Sequence, residues 1–224
     1  YTAHLDQTGA ILGTHAFGSS CFMDPGVVDA IASNPDGTFT AAVSHFLSGQ
    51  RDSLVLFHFN AEGDTISTHF IAAELSLGTR DCVRTVDGNY LLAGWRTFSE
   101  DPLEVWPCLT KVTPTGQELW RVATPGYWDH YRTINALADG TFLIGAWRSN
   151  HEMDETVIKR VDSAGVTLWT RYIGGSTSYG GGSGHSVVMA DGNYLIPGAW
   201  MPPDSTSVDE HGYIALYCFT PQGQ

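Results

Sequence analysis

One short phrase recurs four times at a nearly constant interval, and this interval constrains the fold more than any other feature of the sequence. The phrase is Asp-Gly, then Asn or Thr, then an aromatic residue, and its copies begin at Asp36, Asp87, Asp139 and Asp191, spaced by 51, 52 and 52 residues. Asp-Gly is typical of tight hairpin turns, because glycine adopts positive φ without strain and aspartate tolerates it. The sequence therefore predicts four related hairpins.

A second phrase alternates with the first and predicts a second turn in each repeat. It is an apolar segment followed by Asp, Asn or Thr, two further residues and a glycine, and the glycines of its five copies are Gly9, Gly63, Gly116, Gly165 and Gly223. Two copies are followed by Leu-Trp, at Leu119-Trp120 and Leu168-Trp169. This spacing suits a turn closed by a left-handed glycine. Each repeat then holds four short strands, named a to d, with Asp-Gly joining a to b and the second turn joining c to d.

Four-stranded antiparallel units at this period are typical of β-propeller blades, in which each unit buries its faces against its two neighbours. We therefore predict an all-β protein, a four-bladed β-propeller in one domain spanning residues 1–224. The predicted repeat units are about 1–26 (partial), 27–78, 79–130, 131–183 and 184–224 (partial).

The same phrases carry a resemblance to known propellers. The strand followed by Asp/Asn-x-x-Gly and Leu-Trp resembles the repeats of pyrroloquinoline-quinone-type propellers. The phrase Asp-Gly-Asn-Tyr-Leu-Leu-Ala-Gly, which begins at Asp87, is similar to repeat arrays in secreted bacterial propeller proteins. The resemblance implies architecture only. A secreted, extracellular location is a separate expectation for this chain. It does not extend to the quinone cofactor, because nothing in the sequence matches that site.

The ends of the chain are out of phase with the repeats. The chain opens with a c–d hairpin, Tyr1–Leu5 followed by Ala10–Phe17, and its last repeat stops after strand c, Tyr213–Phe219. Two arrangements follow. Ala10–Phe17 completes the chain's own last blade, or the hairpin docks on another copy and propagates rings or filaments.

Composition excludes some partners and favours one ion. With 11 basic and 24 acidic residues the formal net charge is −13, which opposes binding to nucleic acid or to anionic membranes. No apolar run approaches the roughly 18 residues of a membrane span. The excess of carboxylates suits calcium. The sequence leaves open the disulfide state of Cys21, Cys82, Cys108 and Cys218, of which a Cys21–Cys82 pair is one option.

Candidate site residues fall at one end of the predicted blades, where the b–c loops emerge. Tryptophans and arginines there could bind a sugar: Trp95, Trp147, Trp200, Arg96 and Arg148. Acidic residues there are candidate calcium ligands: Asp204, Asp209, Glu210, Asp154 and Glu155. The alternative is that the indoles pack between blades and the carboxylates are solvated.

Catalytic signatures are weak in this sequence. It has no Gly-x-Ser-x-Gly elbow and no zinc-type histidine pair. The main expectation is a non-catalytic extracellular unit, structural or adhesive, that binds copies of itself through its out-of-phase ends, assembles into filaments and is stabilised by calcium. The alternatives are a glycan-binding, lectin-like propeller and a polysaccharide-active enzyme.

Overall fold

The computed structural model describes residues 2–15, 27–45, 53–71, 77–97, 105–125, 130–149, 154–173, 186–200 and 213–224. These residues form seventeen strands: β1 Thr2–Leu5, β2 Ile11–His15, β3 Val27–Ser33, β4 Phe39–His45, β5 Ser53–Phe59, β6 Thr65–Ile71, β7 Leu77–Arg84, β8 Tyr90–Thr97, β9 Val105–Val112, β10 Glu118–Ala123, β11 His130–Ala136, β12 Phe142–Ser149, β13 Asp154–Val161, β14 Thr167–Ile173, β15 Val187–Val188, β16 Tyr194–Trp200 and β17 Tyr213–Phe219. No helix long and apolar enough to cross a membrane occurs in these ranges.

The strands pair in chain order within antiparallel sheets, which is the arrangement of propeller blades. Three sheets have four strands each, β3 to β6, β7 to β10 and β11 to β14. A fourth sheet has three described strands, β15 to β17, and β1 pairs with β2 in a separate hairpin. Strand a of one sheet lies against strand a of the next, as β3 does against β7 and β7 against β11. The all-β, propeller-like prediction is confirmed.

Both predicted turns form where the sequence places them. The four Asp-Gly glycines have φ between 80° and 83°, and each joins strands a and b. The Asp36 carboxylate accepts hydrogen bonds from the Thr38 backbone N–H (3.0 Å) and hydroxyl (2.6 Å), and Asp139 repeats this with Thr141. The glycines of the second turn also have positive φ, from 78° to 92°. Local chemistry therefore fixes the hairpins.

Strand b of the second sheet is buried on both faces. Tyr90 and Leu92 pack in a cluster with residues of the first sheet, whereas Leu91 and Ala93 pack with residues of the third. Successive side chains of a strand point to opposite faces, so one strand contributes to two interfaces between sheets. This explains why the apolar runs do not alternate with polar residues.

The Leu-Trp phrase and the second turn meet between neighbouring sheets. A methyl group at Gly165 would lie 3.0 Å from the ring of Trp120, and one at Gly223 would lie 3.1 Å from the ring of Trp169. The Trp169 indole N–H also donates to the Pro221 carbonyl (3.2 Å). Trp120 and Trp169 on the two d strands thus pack on the c–d turn of the next sheet. The Leu-Trp phrase and the second turn together hold adjacent sheets in contact.

The predicted closure of the last blade by Ala10–Phe17 is not found among the described strands. Strand β2 pairs with β1, and β17 pairs with β16. Exposed apolar side chains remain on both elements, at Ile11, Leu12 and Leu216. The count of four blades therefore stays a prediction.

The described cysteines are thiols. Cys82 is free and buried, as is Cys108, so the Cys21–Cys82 disulfide that the sequence allowed is not formed. Burial raises the pKa of the Cys82 thiol, and its neighbour Asp81 adds to this rise. A thiol held in its protonated form is a poor nucleophile.

Candidate functional site

Three inner strands carry a β-bulge at the same position of the repeat. The register shifts between Val28 and Ala30 in β3, between Thr79 and Asp81 in β7, and between Tyr131 and Thr133 in β11. The extra residues are Asp29, Arg80 and Arg132, each seven residues before the aspartate of its Asp-Gly turn. Bulges re-aim side chains and are common beside functional sites. Here they bring arginines to the end of the propeller from which the b–c loops emerge, called the loop face below.

The indole of Trp95 is the centre of this region. Trp95 pairs with Gly78 across the sheet, and a methyl group at Gly78 would overlap the indole ring. The ring therefore lies flat over the inner strand and stays half-buried. The Arg80 guanidinium lies 4.8 Å from the centre of the indole, and the His130 ring approaches edge-on at 5.6 Å. Trp95, Arg80, His130 and Arg132 are called the Trp95 cluster below.

Electrostatics in the Trp95 cluster keep its histidine neutral. Burial, Arg132 and Arg80 together lower the pKa of His130 to about 4. Burial and Arg80 also lower the pKa of Arg132. The buried Nδ1 of His130 has no hydrogen-bond partner among the described residues. The cluster thus combines an aromatic face, two positive charges and an imidazole that is uncharged at neutral pH.

The carboxylate next to Arg80 has a structural role. Asp81 is buried, and its two oxygens accept hydrogen bonds from the backbone N–H groups of Cys82 (2.9 Å) and Ile134 (2.8 Å). The second bond joins β7 to β11, so Asp81 holds two sheets together. One lone pair of each oxygen is thus directed to the backbone.

The residues singled out from the sequence are only partly brought together. Trp95 and Arg96 are consecutive in an unbroken strand, so they lie on opposite faces of β8. The guanidinium that packs on Trp95 is instead that of Arg80. Trp147 lies opposite His130 in the backbone register, with Arg148 next to it in β12.

Trp200 differs in register from the other two tryptophans. It stands six residues after Tyr194, whereas Trp95 follows Tyr90 by five residues and Trp147 follows Phe142 by five. These strands pair without register shifts over these spans. Trp200 therefore occupies the next position along its strand, and Ala199 takes the equivalent one.

The acidic candidates lie at or beyond the edge of the described residues. Asp154 and Glu155 begin β13, opposite Ser149 and Arg148 in the backbone register. Asp204, Asp209 and Glu210 lie outside the described residues. Within the described ranges, no group of three or more potential metal ligands comes together.

Sequence reasoning missed Arg80, His130 and Arg132 as site residues. The available signal was their common position, since both arginines stand seven residues before an Asp-Gly aspartate. What the sequence could not show is the bulge, because the extra residue is defined only by pairing with strand b.

Comparison with solved structures identifies the fold. Over 96% of this chain and 84% of the other, the structure matches the endo-arabinase from Bacteroides thetaiotaomicron VPI-5482, with a TM-score of 0.53 and 11% sequence identity. The fold is similar to that of a known enzyme. Bacteroides ovatus xyloglucan PUL GH43B also matches, over 85% of this chain and 40% of that one, with a TM-score of 0.46 and 14% identity. No protein-family model matches the sequence, and no curated protein matches it significantly.

This comparison corrects three expectations. The chain was expected to be a non-catalytic structural or adhesive unit that self-associates, yet a solved structure that matches its fold along nearly the whole chain is that of an enzyme. The expectation of no enzymatic activity is contradicted by the same match. The resemblance to pyrroloquinoline-quinone-type repeats is not supported, although the propeller-like architecture is. The repeat phrases specify turns and interfaces between sheets, which propellers of different function share.

Proposed function

We propose that this chain is a polysaccharide-active propeller that holds a glycan across its loop face at the Trp95 cluster. The observation that carries the proposal is the packing of Trp95 between Arg80 and His130, on a propeller whose fold is similar to that of an endo-arabinase. A half-buried indole offers an apolar surface to a sugar ring, and the neighbouring nitrogen atoms offer hydrogen bonds to hydroxyl groups.

Hydrolysis of a glycosidic bond requires two carboxyl groups on either side of it. The b–c loops that follow Trp95 and Trp147 contain four acidic residues: Glu100, Asp101, Glu104 and Glu152. We assign the acid and the nucleophile or base to this set. Asp81 is not part of it, because its oxygens accept backbone hydrogen bonds within the sheets.

Substitution of Trp95 tests the proposal. We expect Trp95→Ala to weaken binding to the preferred polysaccharide at least about tenfold, since an aromatic contact contributes about 0.5–1.5 kcal/mol in addition to the burial of its apolar surface. Trp95→Phe keeps an aromatic face and should retain most of the binding. Affinity electrophoresis against arabinan, xylan, xyloglucan and polygalacturonan measures the effect, and reducing-sugar release from the same panel measures hydrolysis.

Melting temperatures of both variants serve as the control, because Trp95 also packs on Gly78. Equal binding by wild type and a folded Trp95→Ala variant would contradict the placement of the glycan. Binding without any sugar release would contradict hydrolysis and favour the lectin-like alternative. Absence of binding to the whole panel would overturn the proposal.

Calcium is a second part of the proposal. Asp204, Asp209 and Glu210 are the main candidate ligands, with Asp154 and Glu155 from the neighbouring repeat. Carboxylate oxygens from loops are the ligands that calcium prefers. Because an ion bound only by the folded state stabilises it, we expect EDTA to lower the melting temperature and added calcium, but not magnesium, to restore it. A melting temperature unchanged by EDTA would exclude a stabilising ion.

The number of blades belongs to the same proposal. We assign one blade to each Asp-Gly hairpin, which makes four. The support is that β15 to β17 follow the same order as the first three strands of the complete sheets. The β1–β2 hairpin occupies the c and d positions of the repeat.

A further inference from the structure

We propose that the Trp95 cluster recognises an acidic sugar, a uronate unit of the polysaccharide, with its carboxylate between the guanidinium groups of Arg80 and Arg132 and its ring against the exposed part of the Trp95 indole. This inference rests on the proposed function and adds the substrate class to it. The observations that carry it are two bulges that deliver arginines to one place, and the contact of one of those arginines with the aromatic surface.

The arginines are concentrated here against the overall charge of the protein. The chain has a formal net charge of −13, yet two of its few cationic residues occupy the same repeat position on adjacent inner strands. Guanidinium groups bind carboxylates through paired, charge-assisted hydrogen bonds, which a neutral sugar cannot form.

The repeat itself supports a role beyond folding. Arg80 and Arg132 both stand at a bulge, and so does Asp29 in the first complete sheet. The bulge therefore does not require arginine. Asp81, the carboxylate nearest in sequence, accepts backbone N–H groups through both oxygens and serves the interface between sheets.

The pKa of His130 can be measured to detect binding in the cluster, and this measurement does not depend on catalysis. Its ring lies against Trp95, and the cations that face it are Arg132 on its own strand and Arg80 on β7. These cations and burial keep its pKa near 4. A negative charge bound between the arginines favours the imidazolium form, so the pKa of His130 should rise by about one unit on binding. A purely structural role for the arginines gives no such rise.

The main experiment compares two ligands that differ in charge and otherwise only by the methyl groups of the ester. Calorimetry on the wild-type protein uses trigalacturonic acid and the same trimer with every carboxyl group methyl-esterified. We expect the free acid to bind at least about tenfold more tightly than the ester. We also expect the His130 resonance, followed by NMR at several pH values, to show the raised pKa with the acid alone. Equal binding of acid and ester would overturn the inference.

Variants assign the effect to the two arginines. Arg80→Gln and Arg132→Gln should each weaken binding of the acid about tenfold and leave binding of the ester unchanged. Arg121→Gln is the matched control, because Arg121 lies on outer strand β10 and pairs with Glu118. Loss of binding with Arg121→Gln equal to that with Arg80→Gln would contradict the assignment.

A third ligand separates a carboxylate from other anions. A sulfated galactan oligosaccharide carries negative charge without a uronate, and we expect it to bind more weakly than trigalacturonic acid. Equal or tighter binding would overturn the assignment to a uronate. These outcomes are distinct from failure of the proposed function: if neutral glycans bind at Trp95 and the acid has no advantage, only the inference fails.

Discussion

Gly94→Ala is expected to lower the free energy of unfolding by about 2–3 kcal/mol or to prevent folding. A methyl group at this position would overlap the Gly78 carbonyl oxygen and lie 2.7 Å from the Cα of Thr79. Both contacts are with backbone, which cannot move aside as a flexible side chain can. The strain would fall on the β7–β8 pairing that supports Trp95. Urea denaturation of the purified variant measures the change.

The repeat alone predicts the opposite result for this substitution. Ala146 stands at the equivalent position of the third sheet and is buried there, so alignment of the repeats indicates that alanine is tolerated. Gly140→Asn is the control, since Gly140 has a φ of 80° and no other residue within 4 Å of an added Cβ. Asparagine tolerates this conformation, and a change within about 1 kcal/mol is expected. Wild-type stability of Gly94→Ala would contradict the close approach of β7 and β8 at Gly94.

Trp169→Ala is expected to lower the free energy of unfolding by about 2 kcal/mol or more, because it removes a packing contact between the third and fourth sheets. The indole packs beside the cluster of Leu137, Ile158 and Tyr194, contacts the turn at Gly223, and donates a hydrogen bond to Pro221. Truncation loses the apolar contact and leaves a gap beside the turn. Thermal and urea unfolding measure the loss.

The neighbouring residue supplies the control for Trp169. Leu168 is 52% exposed and is not part of the apolar cluster against which Trp169 packs. Leu168→Ala should therefore change stability by no more than about 0.5 kcal/mol. If both substitutions cost the same, the contribution of Trp169 lies in general strand propensity, and the Leu-Trp phrase has no role in joining blades.

Different parts of the candidate site were predictable to different degrees. Trp95 could be found because it ends an apolar run at a fixed distance from Asp-Gly. Arg96, the candidate next to it in the sequence, lies on the opposite face of β8, since neighbours in a strand face opposite ways. Arg80 could not be paired with Trp95 from sequence, because their contact depends on a bulge and on a glycine opposite the indole.

Function was the least predictable property. The motifs that recur along the chain, Asp-Gly, Asx-x-x-Gly and Leu-Trp, shape turns and join sheets, so they report architecture and not chemistry. The expectation of a non-catalytic protein rested on the absence of known catalytic motifs. Such motifs identify only sites built from residues that are close in sequence.

The sequence by itself determined the hairpins, their spacing and the all-β class, because turn chemistry acts within four or five residues and needs no distant partner. Tertiary structure decided which residues meet across sheets. The Trp95 cluster joins residues from β7, β8 and β11. The contact of Trp169 with Pro221 joins two sheets through residues about fifty positions apart in the sequence. Tertiary structure also left β1 and β2 as a hairpin of their own. These contacts depend on strand register and on how blades pack, and neither is set by local sequence.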